Sequence, residues 1–170
     1  MDQKNSGLKE KVQDSIQLID EAVKSVRRIA TQLRPSILDD LGLVAALEWL
    51  SEEYEKRYHI RTNFSSKNIQ SNISPDISIA LFRIYQESLT NILRHSKASE
   101  VNVTLSFEKN QLVLLVVDNG IGFETEKVYT LNTLGLIGIK ERTNLMGGIF
   151  KIESNLGEGA TLFVSVPNKQ

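Results

Sequence analysis

The stretch "VVDNGIGF", Val116 to Phe123, decides how this chain is read. An apolar run, "LVLLVV" (Leu112–Val117), goes straight into Asp118, then Asn119, then Gly120 and Gly122. A run that is apolar at every position suits a central strand buried on both faces. A solubility turn needs at most one glycine, so the end of this strand asks for another explanation. An ionised aspartate only accepts hydrogen bonds. An exocyclic amino group, such as that on adenine, is a natural donor to it, whereas guanine's carbonyl in the same place would be repelled. Gly120 and Gly122 allow a flat ring to come close to the backbone. The competing reading is a strand–loop turn made of Asp, Asn and Gly.

Working outward, "VNVTLSF" (Val101–Phe107) alternates apolar and polar, which predicts a strand with one wet face. "EKNQ" is a turn between these two strands. "GIFKIES", the turn "NLGEGA" and "TLFVSVP" predict a second hairpin near the C-terminus. Between the hairpins lie a polar stretch, Glu124 to Thr133, and a short helix over roughly Leu136 to Met146. Upstream, Ser74-Pro75 starts a helix that runs to about Ser96, with Ser as N-cap and Pro at the first helical position. "IRTNFSS" predicts a short edge strand. Leu43, Leu47, Leu50 and Tyr54 give a helix over Leu43–Tyr58 its apolar face.

Residues 8–34 read as one long helix ended by Arg34-Pro35. Val12, Ile16, Ile19, Val23, Val26, Ala30 and Leu33 form the a/d seam of a coiled coil or bundle. So narrow a stripe predicts packing on partner helices; the alternative is a helix folded back on its own domain. The expected organisation is a helical stalk over 1–34, a linker over 35–42 and a domain over 43–170. That domain is expected to be α+β, a two-layer sandwich of a mixed sheet with helices on one face.

The 170-residue chain carries a formal net charge of −1, so no global positive field points to nucleic acid or anionic lipid. Cysteine is absent, which excludes disulfide frameworks, cysteine-zinc sites and thiol nucleophiles. There is no signal peptide and no apolar run of membrane-spanning length.

On the helix from Pro75, Glu87, Asn91 and Arg94 form a polar stripe at the edge of the apolar arc of Ile77, Leu81, Ile84, Tyr85 and Ile92. Partly buried polar groups need partners. One reading is an internal hydrogen-bond network with Thr90 or Arg83. The other is a Mg²⁺-phosphate site, because Mg²⁺ takes a few protein oxygens plus waters and substrate phosphates. Further on, "LGLIGIKER" places Gly135 and Gly138 at a helix start, where free N–H groups bind phosphate. In "GEGAT", Gly157 and Gly159 make a hairpin turn, and Thr161 offers a hydroxyl near a bound base.

The order "ESLTN", "DNGIGF", "GLIGIKER", "GEGAT" resembles the N, G1, G2 and G3 boxes of the ATP-binding catalytic domain of sensor histidine kinases, within the GHKL ATPase superfamily. "SVRRIATQLRPSILDDLGLVAALEWL" is similar to the second dimerisation helix and linker of nitrate-sensor-like histidine kinases. The resemblance implies a Bergerat-type ATP-binding fold. It implies that Asn91 coordinates Mg²⁺, Glu87 assists phosphoryl transfer and Asp118 binds the adenine amine. Gly120, Gly122, Gly135, Leu136 and Gly138 would shape the nucleotide pocket and lid, and residues 124 to 134 would be that lid. Arg94 and His95 would face the phosphates or line the pocket, His95 otherwise being a satisfied structural histidine.

The family's phosphate acceptor is a histidine on the first dimerisation helix. The heptad helix here has none, and the chain's two histidines, His59 at a helix end and His95, do not match that motif. His59 reads as a C-terminal cap or surface residue. The expectation is a fragment, one dimerisation helix plus the catalytic domain, that binds Mg-ATP without phosphorylating itself. In the intact protein the resemblance implies relay to a response-regulator receiver domain, a homodimer through the dimerisation helices and a cytoplasmic location, with membrane anchoring of the parent left open. No nucleic acid or membrane contact is expected of this segment. The alternatives are a serine kinase or ATPase on the same fold, such as an anti-sigma-factor kinase, and a non-enzymatic ATP-dependent docking module.

Overall fold

The computed structural model describes residues 36–69, 72–124 and 134–168. The expected heptad seam of residues 8–34, and residues 125–133 of the segment expected to be a lid, lie outside the described residues.

Helix α1 spans Ser36–Tyr58 and is broken at Gly42, whose φ of 78° and ψ of 177° are not helical. The segment read as a linker is therefore helical just after Pro35, and Leu38 within it is buried in the core. Beyond Gly42, Leu43, Ala46, Leu47, Ser51 and Tyr54 are buried, the three-and-four spacing of a helix lying on a core. The helix stops at Tyr58. His59 follows in the left-handed region (φ 56°), exposed, and its amide donates to the Glu55 carbonyl at 2.8 Å. The capping role expected of His59 is the one observed.

Strand β1 (Arg61–Lys67) pairs in parallel with β2 (Glu100–Glu108). Strands β3 (Gln111–Asp118), β4 (Ile149–Ser154) and β5 (Ala160–Pro167) are antiparallel to their neighbours, and the sheet order is β1-β2-β3-β5-β4. Strand β1 sits at the edge, as expected. The β2–β3 link is a two-residue turn, with Lys109 and Asn110 both at positive φ. This matches the twist of the flanking strands.

Helix α2 covers Pro75–Asn91. The Ser74 hydroxyl accepts from the Ile77 amide at 3.3 Å and Pro75 occupies the first turn. Leu81, Phe82, Ile84 and Tyr85 on α2 are fully buried, each burial being favourable by about 1.5–3 kcal/mol. Ser51 donates to the Leu47 carbonyl at 2.8 Å, so the Tyr85 hydroxyl is the donor in its 2.7 Å bond to Ser51. That bond joins α1 to α2 inside the core.

The run "LVLLVV" does not behave as expected. It forms the middle strand, but only Leu112, Leu114 and Val116 are buried; Val113, Leu115 and Val117 alternate with them and are half-buried. The buried residues of β3 join the hydrophobic core with α1 and α2, while the opposite face has no helical layer among the described residues. β-Branched and large apolar residues suit a pleated, partly covered surface. An unbroken apolar run therefore did not signify two covered faces.

Candidate functional site

The cleft forms where the end of β3 meets the C-terminal end of α2. Asp118, 6% exposed, points to the same side as Val116 and the helices. The next residue turns away: Asn119 accepts from the Ser99 and Glu100 amides at 3.0 Å each and donates to the Ser99 hydroxyl. Asn119 thus fastens the loop to the start of β2 and leaves Asp118 facing the cleft. The Gly120 amide donates to Asp118 Oδ1 at 2.8 Å. Burial pushes the Asp118 carboxyl above the usual carboxylate range, against hydrogen bonds from the Gly120 amide, the Ser96 hydroxyl and the Ala160 amide.

The glycines also serve the packing of the loops on one another. A Cβ at Gly120 would overlap the Ser96 carbonyl, one at Gly122 the Asn155 carbonyl, and one at Gly159 the Asp118 carbonyl. Their bareness lets loops close on loops behind the carboxylate. Gly122 also lines the cavity. Gly157 has open space around it and only makes the turn, whereas Gly159 does more than the turn expected of it.

Helix α2 ends as an α-helix at Asn91 and widens into a π-type turn, Ile92–Ser96, closed by Lys97 in the left-handed region. π-Turns inside helices are frequent at functional sites. This turn brings Ser96 to Asp118, and the Ser96 carbonyl accepts from the Ile121 amide at 2.7 Å. It also separates the expected stripe: Asn91 and His95 line the cavity, while Arg94 is exposed and does not.

Helix α3, Leu134–Leu145, packs on α2. A Cβ on Gly135 would overlap Glu87 Oε1 and come within 3.1 Å of Asn91 Oδ1. Gly135 therefore lets the start of α3 close on the two residues singled out for metal and phosphate chemistry. The alternative internal network involves Gln86 instead: Arg83 donates to Gln86 Oε1 at 2.8 Å and Thr90 to the Gln86 carbonyl at 2.9 Å. Asn91 Nδ2 is buried with no hydrogen-bond partner.

The cavity measures about 200 Å³. Ile92, Val116, Leu136, Ile152 and Leu162 form its apolar walls; Asn91, His95, Ser96 and Asp118 bring its polar groups. Leu136 is thus where expected. Thr161 is not. Ala160 and Leu162 line the cavity, and strand alternation turns the residue between them to the other face. Ser96 was missed because no local period links it to a strand end more than 20 residues later. A methyl side chain gives Ala160 no chemical signal in the sequence; only the strand register turns it inward.

The residues present fit a magnesium nucleotide. Asn91 has an unpartnered amide at the cavity wall, and its oxygen and nitrogen exchange by a simple flip. Among the described residues no group of three His, Cys, Asp or Glu side chains could cage a metal by itself. A metal on Asn91 would need oxygens from a ligand and from water, as Mg²⁺ on phosphates does.

The family described as "Histidine kinase-, DNA gyrase B-, and HSP90-like ATPase" matches residues 76–170. Signal transduction histidine-protein kinase/phosphatase DegS of Brevibacillus brevis is 35% identical over 164 residues, covering 96% of this chain and 42% of its own length. Oxygen sensor histidine kinase NreB of Staphylococcus carnosus is 32% identical over 165 residues, covering 91% and 48%. The chain spans less than half the length of these relatives. Among solved structures, the histidine kinase domain of the Erythrobacter litoralis EL346 blue-light activated histidine kinase matches with a TM-score of 0.66 at 20% identity, over 85% of this chain and 74% of that one. Full-length ShkA in complex with AMPPNP matches at 0.62 and 20% identity, over 72% of this chain and 29% of that one. These two likenesses bear on the fold, a mixed five-stranded sheet with helices on one face.

Proposed function

The chain belongs to the histidine kinase-, DNA gyrase B- and HSP90-like ATPase family, and from that premise we propose that it is the Mg-ATP-binding catalytic part of a sensor histidine kinase. Its homology to DegS and NreB supports the kinase reading. The single observation that carries the site is Asp118, a buried carboxylate held by three donors at the end of a cavity walled by apolar side chains.

In this reading Asp118 accepts from the exocyclic amine of adenine and rejects guanine, and the apolar walls exclude water from the ring. Asn91 would hold Mg²⁺ through its side-chain oxygen. Glu87, one helical turn away, would accept the proton of an incoming nucleophile or orient it. His95 lines the cavity beside Asn91, and Arg94, exposed on the same turn, would meet phosphate charge from solvent. Gly135, Leu136 and Gly138 would close the start of α3 over the nucleotide. Bound Mg-ATP supplies the transferable γ-phosphoryl group; the chain contributes positioning and charge neutralisation. The acceptor would be a histidine outside this chain, since His59 caps a helix and His95 lines the cavity. A response-regulator receiver domain would then take the phosphoryl group, with dimerisation through the heptad seam of residues 8–34. No helix among the described residues is long and apolar enough to cross a membrane.

The test is a calorimetric titration with ATP, ADP and GTP, each with and without Mg²⁺. Adenine nucleotides binding with a magnesium-dependent affinity, and GTP not binding, is the expected result. Equal affinity for GTP, or no heat with any of them, overturns the reading.

A further inference from the structure

Tyr54, near the end of α1, is buried, and its hydroxyl has no hydrogen-bond partner. An unpaired polar group inside a core costs stability. Its ring packs on Tyr58, with 5.1 Å between centroids and a 59° tilt. Tyr85 lies close enough for the charge of Tyr54 to act on it, but the Tyr85 hydroxyl already bonds Ser51.

The strand register brings Tyr54 toward Asp118. Glu55, the next residue, accepts from the Thr62 amide at 3.0 Å, which fixes the end of α1 to the start of β1. Thr62 is opposite Val101 on β2, and Val101 is opposite Asp118 on β3. All three are buried, and residues paired in this way share a face of the sheet. The start of β1 is thus two strand spacings, roughly 10 Å, from Asp118. Tyr54 and Val101 belong to the same core on that face, so the tyrosine side chain lies along this line. The charge of Asp118 reaches its hydroxyl: the Tyr54 pKa is pushed up to about 12, first by burial, then by Tyr58 and by Asp118. Buried polar groups that face one another beyond direct bonding distance are typically bridged by an ordered water. A hydroxyl that donates to a carboxylate favours its ionised form.

We infer that Tyr54 is a positioning residue for Asp118: its hydroxyl donates to the carboxylate through a buried water and keeps it in the ionised form that accepts from an adenine amine. The role in base recognition rests on the nucleotide reading given above; the link between the two side chains does not.

Few other titratable groups face the carboxylate. Among the described residues that line the cavity, His95 on the π-type turn is the one besides Asp118 that titrates; β5 brings Ala160 and Leu162, and α3 brings Leu136. Glu100, beside Val101 on β2, accepts from Asn63 in an exposed bond. His95 is common to wild type and to variants at Tyr54, so the difference between their pH profiles isolates the tyrosine.

The test follows the Asp118 carboxyl of the full chain through an acid titration, by carbon NMR with labelled aspartate. It compares wild type, Tyr54→Phe and Tyr58→Phe, with the Asp118 signal assigned by its absence in Asp118→Asn. Tyr54→Phe removes one oxygen and keeps the ring. Its Asp118 midpoint should rise by about one pH unit, the scale of one hydrogen bond to a charged group. Tyr58→Phe should leave the midpoint in place. Calorimetry with ADP over the same range should show affinity falling at a correspondingly higher pH in Tyr54→Phe. If Tyr54→Phe does not fold, the Tyr54 ring signals decide: they should follow the Asp118 titration in wild type and stand still in Asp118→Asn. A midpoint that stays put in Tyr54→Phe, or ring signals that ignore the titration, overturns the proposal and leaves the nucleotide reading intact. A midpoint that moves in a protein that binds no ADP overturns the nucleotide reading and the role in base recognition, and supports the link alone.

Discussion

The Gly120 amide donates a 2.8 Å hydrogen bond to Asp118 Oδ1, two residues back along the same loop. A buried carboxylate is thereby aimed by its own backbone. The Ser96 hydroxyl and Ala160 amide hold it from two further elements, so its orientation does not depend on a ligand being present. In the proposed reading, base recognition by this carboxylate would be preorganised.

Asp118→Asn would turn one acceptor oxygen into a donor facing the adenine amine. Adenine-nucleotide affinity should fall at least about tenfold, the scale of a lost charge-assisted hydrogen bond. The fold should persist, because one oxygen remains to accept from Gly120. Titration calorimetry alongside a thermal melt separates the two effects.

The pH dependence follows from the raised pKa of Asp118, whose main cause is burial. A carboxyl whose folded pKa exceeds its unfolded value contributes stability that is full below the unfolded pKa and is lost as pH rises through the folded one. The nucleotide-free protein should therefore lose some stability on going from acid toward neutral pH. Nucleotide affinity should run the opposite way, falling on acidification because the ionised form accepts from adenine. Both slopes should flatten in Asp118→Asn; denaturant melts and binding isotherms across the weakly acid range would measure them.

Gly135→Ala would press a methyl group on Glu87 Oε1 and crowd Asn91. The start of α3 would have to move away from α2, so the magnesium-dependent part of ATP affinity should drop more than the magnesium-independent part. Equal loss with and without Mg²⁺ would mean that Gly135 does not serve the metal site.

The two glycines of the last hairpin should respond unequally. Gly157→Ala meets open space and should cost only the left-handed backbone penalty, about 1–2 kcal/mol. Gly159→Ala adds overlap with the Asp118 carbonyl to a φ of 73°. It should destabilise more, and it should weaken nucleotide binding where Gly157→Ala does not.

Ser51→Ala would leave the Tyr85 hydroxyl, buried at 0% exposure, without its partner. A buried unsatisfied group costs about 1–3 kcal/mol. The loss should appear in a urea unfolding curve with nucleotide affinity unchanged, because neither residue lines the cavity.

Much of this was legible in the residues themselves. Ser74-Pro75 announced a helix start, "EKNQ" a tight turn, and "DNGIGF" a carboxylate at a strand end, because caps, turns and periodicities are written by neighbours in the chain. The linker after Pro35 was harder. The helix from Leu43 was legible, but whether Ser36–Leu41 coils before it depends on Leu38 finding the core.

The sequence by itself determined the elements, their order and the chemical types available at the cleft: an acid at the end of β3, an amide and an acid on α2, glycines at the start of α3. Only the tertiary structure decided which of these meet. Strand register turned Thr161 away and Ala160 inward, the π-type turn carried Ser96 to Asp118 and left Arg94 outside, and the close packing of α3 on α2 put Gly135 against Glu87. The reason is physical. A side chain's own neighbours set its backbone angles, but its partners across the fold are set by the pairing of strands and the distance to which bare backbones can approach.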